Sequence, residues 1–372
     1  MHASTAGLAA FIACLSVLPL AAASPVIPVE DLDDWRVERF CGNPGNRGFV
    51  QGDRAETGSP GMMAFDSQGN AYVACGTFIE QIARDGKVRL VAGTPGITGH
   101  NDGPPAQATF GGACDVALAD DATLYVIDGL NFTLRRLRKR DNLWHTETLA
   151  GQPGKQGHQD GQGTGVLFTA PFDSITMGPK GVVYLMDGDW LRRFENGAVV
   201  TLNAGRGRRD GPLAQAQFDR IMGAGHCLAW DGASNIYVAD RWNMAIRKID
   251  LDKNDVSTFA GRLPGAETGP APRDGPVFDA RFHAGGGPCT AFFNRKLGYL
   301  LVISADEGGM RRVHDGYIKT FGPLGSRSAP FTGNARQAAG GGPCGIDADG
   351  NVYIFGGDCI RVMKKTGGKS NE

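Results

Sequence analysis

A unit of 50 to 60 residues recurs six times along this chain, and no other feature constrains its folding as strongly. The core of the unit opens on Asp-Gly, places a Phe eight residues after the Asp, and continues through an apolar run into Tyr-Val-x-Asp. It then runs through Ile-Arg-x-Ile to an apolar strand closing on Ala-Gly. The clearest copy spans Asp210-Gly211, Phe218, Tyr237-Val238-Ala239-Asp240, Ile246-Arg247-Lys248-Ile249 and Phe259-Ala260-Gly261. The other closing dipeptides are Cys41-Gly42, Ala92-Gly93, Ala150-Gly151, Ala204-Gly205 and Phe321-Gly322. Four short strands of this kind make a sheet that cannot bury its faces alone, so the copies must stack on one another. The predicted fold is all-β: one six-bladed β-propeller of four-stranded antiparallel blades over residues 34–364.

The Asp-to-Phe spacing holds at Asp102/Phe110, Asp160/Phe168, Asp210/Phe218 and Asp274/Phe282, and is lost in the copies beginning at Asp53 and Asn334. The Asp-Gly pairs read as turns, Asp accepting backbone hydrogen bonds and Gly supplying a positive φ. The basic run Arg135–Arg140 reads as a solvated strand edge. The chain ends on a third strand, Cys359-Ile360-Arg361-Val362-Met363, with no fourth. Trp35–Phe40 alternates like the outermost strand of the other blades and is predicted to complete the last one, which also removes an open edge. Hairpin arithmetic carried over from the fourth copy, with Ala245 opposite Ala260, sets Cys359 opposite Cys41. The pair reads either as a disulfide closing the ring or as two buried thiols, and the disulfide is the expected state in an exported protein.

These repeats resemble the NHL repeat, over nearly all of residues 34–364. The resemblance implies a propeller of the kind that includes metal-dependent amidating lyases, lactonases and pure binding modules. It specifies fold far more than function.

Composition adds boundaries. With 56 Gly in 372 residues, the chain suits a fold rich in tight turns. A formal net charge of −1 gives no global field favouring nucleic acid or an anionic membrane. Residues 1–23 read as a signal peptide: Leu8 to Leu20 is apolar but short of a membrane span, and Ala21-Ala22-Ala23 supplies small residues for cleavage. Residues 24–33 form a lead-in and residues 365–372 a polar tail. The expected product is a monomer, secreted or periplasmic, without membrane insertion.

Two sets of side chains are candidates for function. Gly112-Ala113-Cys114, Gly225-His226-Cys227, Gly287-Pro288-Cys289 and Gly342-Pro343-Cys344 all begin innermost strands. Cys114, Asp173 and His226 each precede their blade's tyrosine by eleven residues and Cys344 by nine. Odd offsets share a strand face, so these side chains are predicted to face the channel, with Cys289 beside them. Cys114, His226, Cys289 and Cys344 could then hold zinc or copper, with Asp173 as general base or a further ligand. The histidine set expected of amidating lyases is represented by His226 alone. The alternative is that small cysteines merely fill the crowded centre. The second set is Trp190, Arg241 and Trp242, on neighbouring second-to-third-strand loops, where aromatic rings could grip a protein, peptide or glycan. The leading expectation is a binding module using the channel-mouth face. The alternative is a metal-dependent lyase or hydrolase acting on a small polar substrate.

Overall fold

In the computed structural model the residues described are 35–42, 52–53, 61–170, 172–219, 227–261, 274–282, 287–304, 309–323, 333–334, 342–356 and 359–365. The expected signal peptide (1–23) and lead-in (24–33) lie outside them, as do residues 366–372 of the expected tail. Six antiparallel sheets follow one another, numbered here as blades one to six. The inner strands are Met63–Phe65, Ala113–Asp120, Phe172–Met177, Leu228–Trp230, Pro288–Asn294 and Gly342–Ile346. Each contacts the next and the last contacts the first, so the ring is closed. Trp35–Gly42 pairs with Cys359–Lys365 as the outer strand of blade six, as the missing fourth strand predicts. Among the described residues no helix is long and apolar enough to cross a membrane.

Two details depart from the sequence expectation. Five of the six sheets have a fifth strand, because the Asp-Gly segments (Asn334 in blade six) add a two-residue strand at the outer edge. In blade two the same contact is a single bridge, Gly103 to Thr146. The outer hairpin also carries a recurrent β-bulge. In blade four Ala245 pairs with Gly261 and Arg247 with Thr258, which leaves Phe259 as the extra residue. In blade six the irregularity falls between Arg39 and Cys41, so Cys359 lies opposite Gly42 and Cys41 opposite Ile360. A one-residue slip reverses which face a side chain occupies. Cys41 accordingly joins the apolar cluster containing Ile360, and Cys41 and Cys359 are buried thiols with no disulfide between them. The expected Cys41–Cys359 disulfide is therefore not formed: hairpin arithmetic without the bulge had set these residues face to face.

The repeated Asp, Arg and Phe form one buried unit. In blade four the Arg247 guanidinium bonds Asp240 at 2.7 Å, at the end of the second strand, and Asp210 of the Asp-Gly segment. It also donates to the carbonyls of Gln217 (3.0 Å) and Arg209 (2.8 Å) and lies 5.4 Å above the Phe218 ring. The other Asp210 oxygen accepts from the Thr258 amide and hydroxyl at 2.9 and 2.8 Å. Blades two and three repeat the arrangement with Arg135, Asp128, Asp102 and Phe110, and with Arg192, Asp187, Asp160 and Phe168. In blade five Arg311 joins Asp274 over Phe282. Arg135, the first residue of the basic run, is thus fully buried rather than solvated. The Asp of each Asp-Gly pair is an ion-pair partner as well as a turn residue.

Blade one breaks the pattern. Position 61, eight after Asp53, is Gly. A Cβ there would lie 2.9 Å from the carbonyl oxygens of Ala74 and Cys114, so no Phe fits. Cys75 stands where blade four has Asp240, and Glu80 where it has Arg247. Glu80 is fully buried. Burial and the adjoining Glu80 carboxylate push the Cys75 thiol pKa well up, and its sulfur lies 3.8 Å from the Val73 carbonyl.

Replacing Arg247 with Ala leaves Asp240 buried without its cation. Urea unfolding should show a loss of about 3–5 kcal/mol, the usual cost of breaking one side of a buried pair. An unchanged midpoint would refute the clamp. Removing residues 35–42 should expose the edge of Cys359–Lys365 and produce aggregation, read by light scattering.

Candidate functional site

The cysteines that begin the inner strands do not converge. The Cys114 sulfur lies 3.7 Å from the Ile127 carbonyl and 3.6 Å from that of Phe172 in the next blade. Cys289 lies 3.4 Å from the Ile303 carbonyl and packs among residues of blades five and six. Cys344 lies 3.6 Å from the Met63 sulfur and 3.5 Å from the Tyr353 carbonyl, between blades six and one. Each thiol thus occupies a different seam between blades. Among the described residues no three His, Cys, Asp or Glu side chains come together to hold a metal ion. The zinc or copper site expected from Cys114, Cys289 and Cys344 does not fit their placement. His226 lies outside the described residues. Asp173 falls at the irregularity between Phe172 and Ser174, and its side chain is likewise not described. The physical reason for the dispersal is simple. An inner strand stands edge-on to the axis, so its two faces look toward two neighbouring blades. Side-chain parity along such a strand therefore selects a seam rather than the channel. Cys227, expected in the packing, is fully buried there.

The two loop tryptophans differ in what they offer. Trp190 stacks on His158 with ring centroids 4.2 Å apart. It also lies over Gly205, where a Cβ would meet the indole nitrogen at 2.8 Å. It covers the blade edge. Trp242 is 44% exposed. Its amide donates to the Asp219 carbonyl at 3.0 Å, and the Arg241 guanidinium lies 5.7 Å over its ring.

The cavity lies at the other end of the channel, where first-to-second-strand hairpins meet. Its volume is about 440 Å³ and residues from all six blades line it. Phe65, Leu118, Met177, Trp230, Phe293 and Ile346 give one large apolar side chain per blade. Two of the rings are held from behind: Phe293 lies parallel to Tyr237 at 5.6 Å, and Phe65 packs on Tyr353 at 4.8 Å.

The rim is polar and mostly self-satisfied. Asp66 accepts from the amides of Gln68 and Asn70 and from the Asn70 side chain. Asp347 accepts from Asp349 and Asn351 in the same way. These are Asx-type turns, in which the carboxylate ties down its own hairpin. Lys296 and Arg84 both reach Asp349, at 2.8 and 3.3 Å, joining the hairpins of blades five, six and one. The Arg295 guanidinium is different. It lies 4.5 Å over the Trp230 ring, and its stem packs where a Gly232 Cβ would come within 2.9 Å. Among the described residues no hydrogen bond from its guanidinium is found.

Sequence reading missed this end of the channel because it followed the starts of the inner strands. A signal was present: Asp66–Asn70, Asp231–Asn235 and Asp347–Asn351 share the pattern Asp-x-x-x-Asn, and Trp230 immediately precedes one of them.

No family model matches the chain, and no curated protein matches it by sequence. Among solved structures it resembles a protein of unknown function from Bacteroides thetaiotaomicron, with 18% identity, a TM-score of 0.62, and coverage of 88% of this chain and 75% of that one. An auxiliary nutrient binding protein from the same organism aligns with 14% identity and a TM-score of 0.58, covering 89% and 76% of the two chains. A gluconolactonase from Xanthomonas campestris aligns with 14% identity and a TM-score of 0.50, covering 89% and 90%. At such identities these likenesses establish the propeller fold alone.

Thiol labelling tests the placement of the cysteines. Burial pushes the Cys344 pKa up to about 12 and that of Cys41 well above the ordinary thiol value, so both stay neutral and unreactive at pH 8. N-ethylmaleimide should modify only the half-buried Cys114 and Cys289 in the native protein. In denaturant all seven cysteines from Cys41 onward should react, as read by peptide mass spectrometry. Native labelling of Cys344, or two thiols lost to a disulfide, would contradict the arrangement.

Proposed function

We propose that this propeller is a binding module that holds a small ligand in the channel cavity at the hairpin end. The cavity itself carries the reading. Its size falls within the range of small-molecule sites, and its wall combines apolar side chains with a few placed polar groups. Its carboxylates Asp66, Asp347 and Asp349 are committed to turns or ion pairs, which suits holding a molecule better than transferring its protons. The alternative of a metal-dependent lyase or hydrolase draws no support from the dispersed cysteines. The similar structures include both a nutrient binding protein and a gluconolactonase, so they leave the choice to the site. Export directed by residues 1–23, a monomeric state, and membership among NHL-type propellers belong to the same proposal.

One observation favours a second surface. Trp242 is exposed with Arg241 beside it, on the loop face where the sequence pointed. A protein, peptide or glycan chain is the partner suited to that face, with Trp242 as its anchor and Trp190 as support beneath.

Two substitutions separate the surfaces. Ala64 lines the cavity, and Ala64→Trp should fill it. Ligand-induced thermal shifts from a library of small metabolites should vanish in this variant while the unliganded midpoint stays within a few degrees. Trp242→Ala should leave those shifts intact but cost about 2 kcal/mol or more in affinity for any partner found on a peptide or glycan array. Small-molecule binding that is indifferent to Ala64→Trp would remove the cavity from consideration.

A further inference from the structure

We infer that the cavity's ligand is an amphipathic carboxylate, its apolar body in the channel and its carboxylate on Arg295; this rests on the cavity being the binding site. The argument starts from the wall. Below the rim, the six large apolar side chains named above give a ligand's interior portion no strong hydrogen-bonding partner. A uniformly polar molecule would be desolvated there without compensation. The interior therefore selects an apolar or aromatic body.

The rim selects the head group. Asp66 and Asp347 have both oxygens occupied by donors of their own turns. Asp349 is shared by Lys296 and Arg84. A cationic head group would meet carboxylates that already hold two or more donors each. Arg295 is the rim cation whose guanidinium donates no hydrogen bond among the described residues. Asp231 acts on it only through its charge. The guanidinium carbon lies 4.5 Å from the centroid of the Trp230 ring, which gives Arg295 an aromatic backing. A planar fork of N–H donors held in this way matches a carboxylate in bidentate geometry. Lys296, adjacent in sequence and on the same rim, is already paired with Asp349 and leaves Arg295 as the head-group partner. Apolar body and anionic head then lie in the order that cavity and rim require.

Isothermal titration of the full chain with three probes of one shape tests the head group: 3-phenylpropionate, 3-phenylpropan-1-ol and 3-phenylpropylammonium. The carboxylate should bind at least about tenfold more tightly than the alcohol, with the ammonium weakest, and its affinity should fall as salt rises. Arg295→Gln should bring the carboxylate down to the level of the alcohol. Arg295→Lys should recover part of the preference, because it keeps the charge and loses the fork. Circular dichroism of each variant confirms that the ring is intact. Equal affinities for carboxylate and alcohol, or a preference unmoved by Arg295→Gln, would overturn the ligand class while leaving the cavity as the site. Tighter binding of the ammonium would overturn it as well. No binding of any probe, or binding unchanged by Ala64→Trp, would overturn the cavity reading and this inference together.

Discussion

The arginine buried on the third strand is the constraint on which the regular blades depend. Arg247 joins three pieces of chain that are distant in sequence: its own strand, the end of the second strand at Asp240, and the segment entering the blade at Asp210. Removing a guanidinium from water is costly, and replacing a buried ion pair with apolar groups is often neutral. The contribution of the clamp is therefore geometric. Its donors reach two carboxylates and two carbonyls in one register only, and Phe218 supplies a floor that holds the guanidinium plane. Repetition in blades two and three gives the loop face a rigid footing. Trp190 and Trp242 follow directly on second strands whose last residues, Asp187 and Asp240, belong to these clamps.

Blade one shows what happens when the floor is lost. Without a Phe there is nothing to seat a guanidinium, and the site holds Cys75 and Glu80 beside Cys41 and Cys344. A buried thiol and a buried carboxylate stand where blades two to four have a carboxylate and a guanidinium. This is also the seam where the first and last blades meet. The ring is held there by sulfur, aromatic and aliphatic packing.

How much could be read in advance differed sharply between fold and site. The blade count, the order of strands and the use of Trp35–Gly42 as the closing strand were all legible, because each follows from a period that recurs six times. The buried role of Arg135, Arg192, Arg247 and Arg311 was half legible. The arginines recur at fixed places, but their partners lie 32 to 37 residues upstream. The bulge at Phe259 and its counterpart between Arg39 and Cys41 left no mark that parity counting could detect, and the second moved Cys41 one place from Cys359. The channel cysteines misled for a related reason. Alternation along a strand reports its two faces, and in this architecture both faces belong to neighbouring blades. The cavity was hidden because its wall is assembled from one residue per blade, none of them unusual alone.

The closing strand has a consequence for the order in which the molecule is made. Trp35–Gly42 leaves the ribosome ahead of blade one, yet both of its neighbours, Gly333–Asn334 and Cys359–Lys365, follow blades one to five in the chain. The contacts that shut the ring therefore have the largest sequence separation in the protein, and contacts of that kind form slowly. Blades two to five can gather their clamps as they emerge. The closing strand must wait unpaired while blades one to five are made, an edge without a partner. Its alternation of buried Trp35 and Val37 with exposed Arg36 and Glu38 places charge on that waiting strand, a guard against pairing with the wrong one.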